Sequence, residues 1–198
     1  MTATAITSVM YGCSPPPRRR SSPADHGSSG PTTDTRGREA LSLRPFDAPA
    51  DSPLLRSWIA SRADLLTWAG PAFTWPLDDA QLSAYAAEPD RHIWTARAAD
   101  GRALGHISVR GTRLGRVLIA PEARGRGLGE TLLTLAIDRA FDELDLPELD
   151  LGVYTHNTRA VRLYEKLGFR SARVLPDVEE VDGVRWSALQ MRLPRPRR

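Results

Sequence analysis

Between Val117 and Glu130 the chain passes from an apolar run, Val117-Leu118-Ile119-Ala120, through Pro121-Glu122-Ala123-Arg124 into glycines at 125, 127 and 129. A β-segment has to end here, turn tightly and reopen as a helix. The helix is predicted over about 127–141, because Leu132, Leu133, Ala136, Ile137, Ala140 and Phe141 recur at helical spacing. Alternating glycines remove the Cβ atoms that would block approach to the main chain. Amides at a helix start lack intrahelical acceptors and sit at the positive end of the helix dipole. The turn therefore suits a phosphate-bearing ligand, and Arg124 and Arg126 add charge. The plainer reading of the same residues is a tight connection with no ligand. The spacing is neither that of a nucleoside triphosphatase loop, which needs Gly-x-x-x-x-Gly-Lys-Ser/Thr, nor that of the dinucleotide Gly-x-Gly-x-x-Gly.

On either side the pattern mixes α and β. Leu41 to Phe46 reads as a strand limited by Pro45 to an edge or an end. Residues 52–69 and 77–87 read as two helices around the aromatic loop Trp68 to Pro76. His92 to Ala98 and Ala103 to Arg110 alternate as strands about Asp100-Gly101, a hairpin signal. Leu114 to Ala120 and the alternating Leu149, Leu151 and Val153 are further strands. A short helix follows, capped by Asn157 or Thr158, with Ala160, Leu163, Tyr164 and Leu167 on one face. Gly168 suits its left-handed end, and strands near Phe169–Val174 and Val184–Leu193 close the domain.

Charge needs locating before it is interpreted, because the isoelectric point is near 9.5. A net +2 in residues 1–40 and +4 in the last seven residues leave −3 for 41–191, out of a total of +3. The basicity is in the tails, which argues against a nucleic-acid groove built into the fold. Residues 1–40, rich in Pro, Ser, Gly, Thr and Arg, bury too little apolar surface to offset ordering and are expected to be disordered. The basic tail 194–198 is expected to be loose. The single cysteine, Cys13, excludes an internal disulfide and a multi-cysteine zinc site, and the scattered histidines suggest no metal. No apolar run approaches the ~20 residues of a membrane helix, and Met1–Tyr11 has no secretory leader pattern. A cytoplasmic location is the expectation.

Two ordered motifs carry a family resemblance. Arg124, Gly127 and Gly129 match an Arg/Gln-x-x-Gly-x-Gly/Ala pyrophosphate motif. Downstream, Asn157 to Phe169 matches Asn-x-x-Ala-x-x-Leu-Tyr-x-x-x-Gly-Phe through Asn157, Ala160, Leu163, Tyr164, Gly168 and Phe169. In both, the chain resembles the GNAT superfamily of N-acetyltransferases, most strongly over 113–170. The resemblance implies one α/β domain (mixed α+β) over residues 41–193. Its expected form is a mostly antiparallel twisted sheet of about six or seven strands with a central splay, flanked by about four helices. It implies acetyl transfer from acetyl-CoA to an amine of a small molecule or protein, by direct attack in a ternary complex.

By the same resemblance Arg124, Gly125, Arg126, Gly127, Leu128 and Gly129 cradle the pyrophosphate of coenzyme A. Val117, Leu118 and Ile119 pair their backbone with its pantetheine arm, and an amide near Leu118 or Ile119 polarises the acetyl carbonyl. Asn157 either bonds the cofactor arm or is only a helix cap. Tyr164 either protonates the departing thiolate or is a core residue. The loop carrying Trp68, Phe73 and Trp75 either walls the acceptor pocket or packs helices onto the sheet. The general base has no obvious owner: Gly152 and Arg113 stand where relatives often carry Glu, leaving His106, Asp150, Tyr154 and His156 as candidates. The expected partners are acetyl-CoA and an amine acceptor, with a homodimer left open and neither membrane nor nucleic acid expected. Two other classes remain, a non-catalytic coenzyme A binder and a nucleic-acid-associated protein acting through Arg18–Arg20 and Arg195–Arg198.

Overall fold

The computed structural model describes residues 40–197; the N-terminal stretch through Glu39, with its expected disorder, and Arg198 lie outside the described residues. Seven strands are present: β1 (Leu41–Pro45), β2 (Arg91–Ala98), β3 (Ala103–Arg110), β4 (Arg113–Ile119), β5 (Glu148–Tyr154), β6 (Arg170–Val181) and β7 (Val184–Pro194). They form one sheet in the order β1-β2-β3-β4-β5-β7-β6. Every neighbouring pair is antiparallel except β4 and β5, which run parallel and meet at a single pair, Arg113 with Asp150. The Asp150 amide bonds Thr112 O at 2.9 Å, and beyond that point the two strands separate. The expected splay is there.

Among the described residues five α-helices flank the sheet: α1 (Ala48–Ser57), α2 (Arg62–Ala69), α3 (Asp79–Ala86), α4 (Leu128–Asp138) and α5 (Thr158–Lys166). The single helix expected over 52–69 is two, for a local reason. The Ser61 hydroxyl accepts from the Asp64 amide (3.1 Å) and donates to the Asp64 carboxylate (2.8 Å), which starts a new helix. Just before it, Trp58 and Ile59 turn into the core. α4 ends at Asp138 and passes into one π-helical turn, Arg139–Glu143. At the C-terminus β7 includes Pro194, and Arg195 is held: its amide bonds Pro147 O (3.0 Å) and its guanidinium pairs with Asp142 and Asp145.

Strand alternation divides the core between the two faces of the sheet. In β3, Ile107 and Val109 meet Leu132, Leu133 and Ala136 of α4, while Leu104 meets Leu55, Leu65, Leu82 and Tyr85 of α1–α3. His106 and Ser108, both buried, share the parity of Leu104. One ionic group ties α1 to the sheet. Asp51, almost fully buried, accepts from Thr95 Oγ1 (2.7 Å) and the Asp47 amide (3.0 Å) and pairs with Arg44 and Arg97.

Leu132 has no exposed surface and packs where Gly105 lets α4 approach; a Cβ at 105 would sit 3.1 Å from its side chain. Leu132→Ala should lower unfolding free energy by about 3 kcal/mol, read as a lower urea midpoint at unchanged slope.

Candidate active site

The glycine turn has the backbone its sequence demands. A 3-10 turn, Pro121–Ala123, follows β4, and then Gly125 (φ +83°) and Gly127 (φ +79°) both take left-handed conformations that glycine alone adopts freely. Gly127 is the N-cap of α4, so the first amides of that helix, at Leu128 and Gly129, have no intrahelical acceptor.

These amides open onto a cleft of about 520 Å³ formed where β4 and β5 part. Among its lining residues are Val117, Leu118, Ile119, Arg124, Gly125, Gly127, Leu128 and Gly129, with Asn157, Tyr164 and Trp68. Thus most of the residues nominated from sequence converge on one opening. Arg126 does not line it, although it belongs to the same turn.

The ladder decides which backbone groups face the opening. The Ala120 amide bonds Leu104 O at 3.0 Å, and the register sets Leu118 opposite His106 and Ile119 opposite Gly105. Antiparallel pairs alternate between bonded and non-bonded, so the Leu118 amide is engaged with β3. The amide of Ile119 points to the side that β5 has left. The Ile119 carbonyl accepts from Arg124 Nε at 3.1 Å, consistent with that direction. Of the two expected polarising donors, Ile119 is oriented for the task and Leu118 is not.

Tyr164 is buried and stands edge-on to Phe169 (ring centroids 5.8 Å apart), yet it lines the cleft. Burial pushes its phenol up to about 12, so it keeps its proton at neutral pH. Asn157 caps α5: its Oδ1 accepts from the Ala160 amide at 3.2 Å. The cap uses only the carbonyl half of the side chain, and its NH2 carries two further donors. The two readings of Asn157 are therefore compatible.

The aromatic loop divides. Trp68 lines the cleft; Phe73 stacks behind it at 5.4 Å and 13°. Trp75 does not line the cleft and is 43% exposed. Gln81 pins the loop to α3, accepting from the Thr74 amide (2.8 Å) and donating to Thr74 O (3.2 Å) and Pro76 O (3.0 Å).

None of the four sequence candidates for the base lines the cleft. His106 is sealed in the core with Nε2 3.1 Å from Tyr85 Oη; burial first, and then nearby Arg116 and Arg91, drive its imidazole down to about 3 despite an opposing pull from Asp51. Asp150 is tied to Arg113 (2.6 Å) and Thr112 Oγ1 (2.8 Å). Tyr154, pushed up to about 12 mainly by burial, packs on Trp186 (5.0 Å), and His156 stacks on Tyr154 while meeting Trp186 edge-on. The two departures from the family pattern are neighbours in space: the Arg113 guanidinium occupies the position that a Cβ at 152 would take.

The carboxylates that do line the cleft are Asp64 and Glu130. Glu130 pairs with Lys166 (2.7 Å) in the first turn of α4. Asp64 lies on α2, at the far end from the glycine turn in sequence and on the same helical face as Thr67 and Trp68. Asp64, Thr67, Trp58, Arg116 and Arg159 were not nominated from sequence. The Asp64-x-x-Thr67-Trp68 spacing was the available signal, but it had meaning only once α2 was known to face the splay. Among the described residues no group of three or more His, Cys, Asp or Glu could hold a metal, and no helix is long and apolar enough to cross a membrane.

Comparison with known proteins agrees with this geometry. The model of the Acetyltransferase (GNAT) family matches residues 62–169. The chain is 34% identical over 158 residues to a mycothiol acetyltransferase of Kineococcus radiotolerans, covering 73% of this chain and 47% of that protein. It is 30% identical over 82 residues to a peptidyl-lysine N-acetyltransferase of Salmonella typhimurium, covering 41% and 52%. The chain thus spans about half the length of these curated relatives. Among solved structures, the fold is similar to spermidine N-acetyltransferase from Vibrio cholerae in complex with CoA and spermine. The TM-score is 0.69 at 21% identity, over 78% of this chain and 95% of that one.

The buried imidazole gives a pH test. Its folded value lies below the ordinary 6.5, so the stability it contributes is present above that pH and drains away as pH falls toward 3. In His106→Gln, urea denaturation between about pH 7 and pH 4 should show a shallower loss of stability than the wild type. An unchanged slope would assign the acid sensitivity to other groups.

Proposed function

The chain belongs to the GNAT acetyltransferase family, and from that premise we propose that it transfers the acetyl group of acetyl-CoA to an amine. One observation carries this reading: the cleft where β4 leaves β5 has helix-start amides at one end and the Tyr164 phenol along its wall. The site fits coenzyme A chemically. A Cβ at Gly125 would meet open space within 4 Å, so the turn is open to a diphosphate. Arg124 and Arg159 line the cleft as counter-charges, and Asn157 offers its NH2.

Acetyl-CoA, when bound, supplies an activated acetyl thioester. The β4 edge over Val117–Ile119 would extend a ladder to its arm, and the Ile119 amide would stabilise negative charge developing on the carbonyl oxygen. Asp64 would take up the proton that the amine releases as the C–N bond forms. The Tyr164 hydroxyl would give a proton to the sulfur as the C–S bond breaks. Its raised value suits this role, since the donor has to be protonated beforehand. Trp58 and Trp68 would wall the acceptor end. A step that consumes acetyl-CoA requires a compartment that contains it, which favours the cytoplasm.

Calorimetry with acetyl-CoA should show binding, and thiol release across an amine panel should find at least one acceptor. Binding without release from any amine would make the protein a passive coenzyme A binder. Tyr164→Phe should lower kcat by about a hundredfold or more with little change in acetyl-CoA affinity; equal turnover would remove Tyr164 from the chemistry. Asp64→Asn should reduce kcat/KM for the amine by at least about tenfold while acetyl-CoA still binds. An unaffected pH–rate profile in that variant would exclude Asp64 as the proton acceptor.

A further inference from the structure

Arg116 holds a half-buried charge that the reaction described above does not use. β4 carries a bulge there: the register passes from Gly115 opposite Ser108 to Leu118 opposite His106, so two residues of β4 face one of β3. Arg116 takes a left-handed φ of +56°, a strained conformation for a residue with a side chain. A bulge redirects side chains, and this one sends a guanidinium inward. Its Cζ lies 5.2 Å from the Phe73 ring centre, 5.9 Å from that of Tyr85 and 6.0 Å from that of Trp68. Nη1 donates to Ala69 O at 2.7 Å, and Nε is buried without a hydrogen-bond partner.

Among the described residues no carboxylate pairs with Arg116. Glu88 acts on it only at longer range and is already bonded to Arg91 (2.8 Å) and Arg110 (3.1 Å). Of the other groups facing it, Arg91 and Arg113 carry the same sign, and Tyr85 holds its proton. Burying an unpaired charge is unfavourable, and the aromatic faces and one carbonyl offset only part of that penalty.

Arg116 nevertheless lines the cleft. It precedes Ile119 by three residues of β4, about 10 Å, on the side away from the glycine turn. That is the acceptor half, shared with Trp58, Asp64 and Thr67. A polyamine would bring only ammonium groups to this guanidinium.

We propose that the acceptor is a zwitterionic amine, whose carboxylate pairs with Arg116 and whose amino group faces Asp64. The proposal rests on the acetyltransferase reading and narrows its substrate class; the aromatic walls favour an aromatic amino acid. The test is calorimetry on the full chain saturated with CoA, titrated with N-acetyl-L-tryptophan and with the uncharged N-acetyltryptamine. The acid should bind about ten- to a hundredfold more tightly. Arg116→Gln should erase that ratio, and Arg116→Lys should restore part of it through charge without the planar fork. No binding of the acid, equal affinity for the two, or a preference that survives in Arg116→Gln would each overturn the proposal. Should Arg116→Gln fail to fold, the wild-type pair still decides. The CoA titration separates the two levels: no heat with CoA defeats the acetyltransferase reading, whereas CoA binding without discrimination defeats only this inference.

Discussion

The structure depends on a sheet that opens in its middle. Parallel neighbours normally share an evenly spaced ladder, but β4 and β5 pair once, at Arg113 and Asp150, and then diverge. Such an opening persists only because strong packing holds both halves. β1–β4 close against α1–α3 on one face and α4 on the other, while β5, β7 and β6 form their own antiparallel set. The unpaired edge of β4 is then a template for an extended ligand, with a helix N-terminus at its end.

Positive charge is distributed unevenly around that opening. Arg124 and Arg159 line the cleft together with the helix start. Arg113 lies over Gly152, in space that a side chain there would need, and is neutralised by Asp150. Arg116 is enclosed by aromatic rings and lacks a carboxylate among the described residues. Beside it His106 stays neutral, driven down first by burial and further by this same guanidinium. That part of the cleft therefore has one carboxylate, Asp64, and one under-compensated cation, Arg116.

What was legible in the sequence was what short-range rules encode. Alternation placed β2, β3 and β5 to within a residue or two, and helical spacing located α4 and α5. Where two local signals compete, a cap overrides apolar spacing. Apolar spacing over 52–69 suggested one helix, while Ser61 and Asp64 formed a cap that split it. The four candidate bases have partners outside the cleft. Burial holds His106, an arginine holds Asp150, and Tyr154 and His156 stack on each other, none of which a linear sequence displays.

The sequence by itself determined the glycine turn, the helix that follows it, and the capping Asn157 and Tyr164 on one short helix, because each depends on backbone geometry within a few residues. Tertiary structure alone decided that Asp64, Trp58 and Arg116 share a cleft with that turn. Their meeting depends on how α2 docks against a bulged strand nearly fifty positions later, and no periodicity in a linear sequence records which charges are left facing one another once a core has closed.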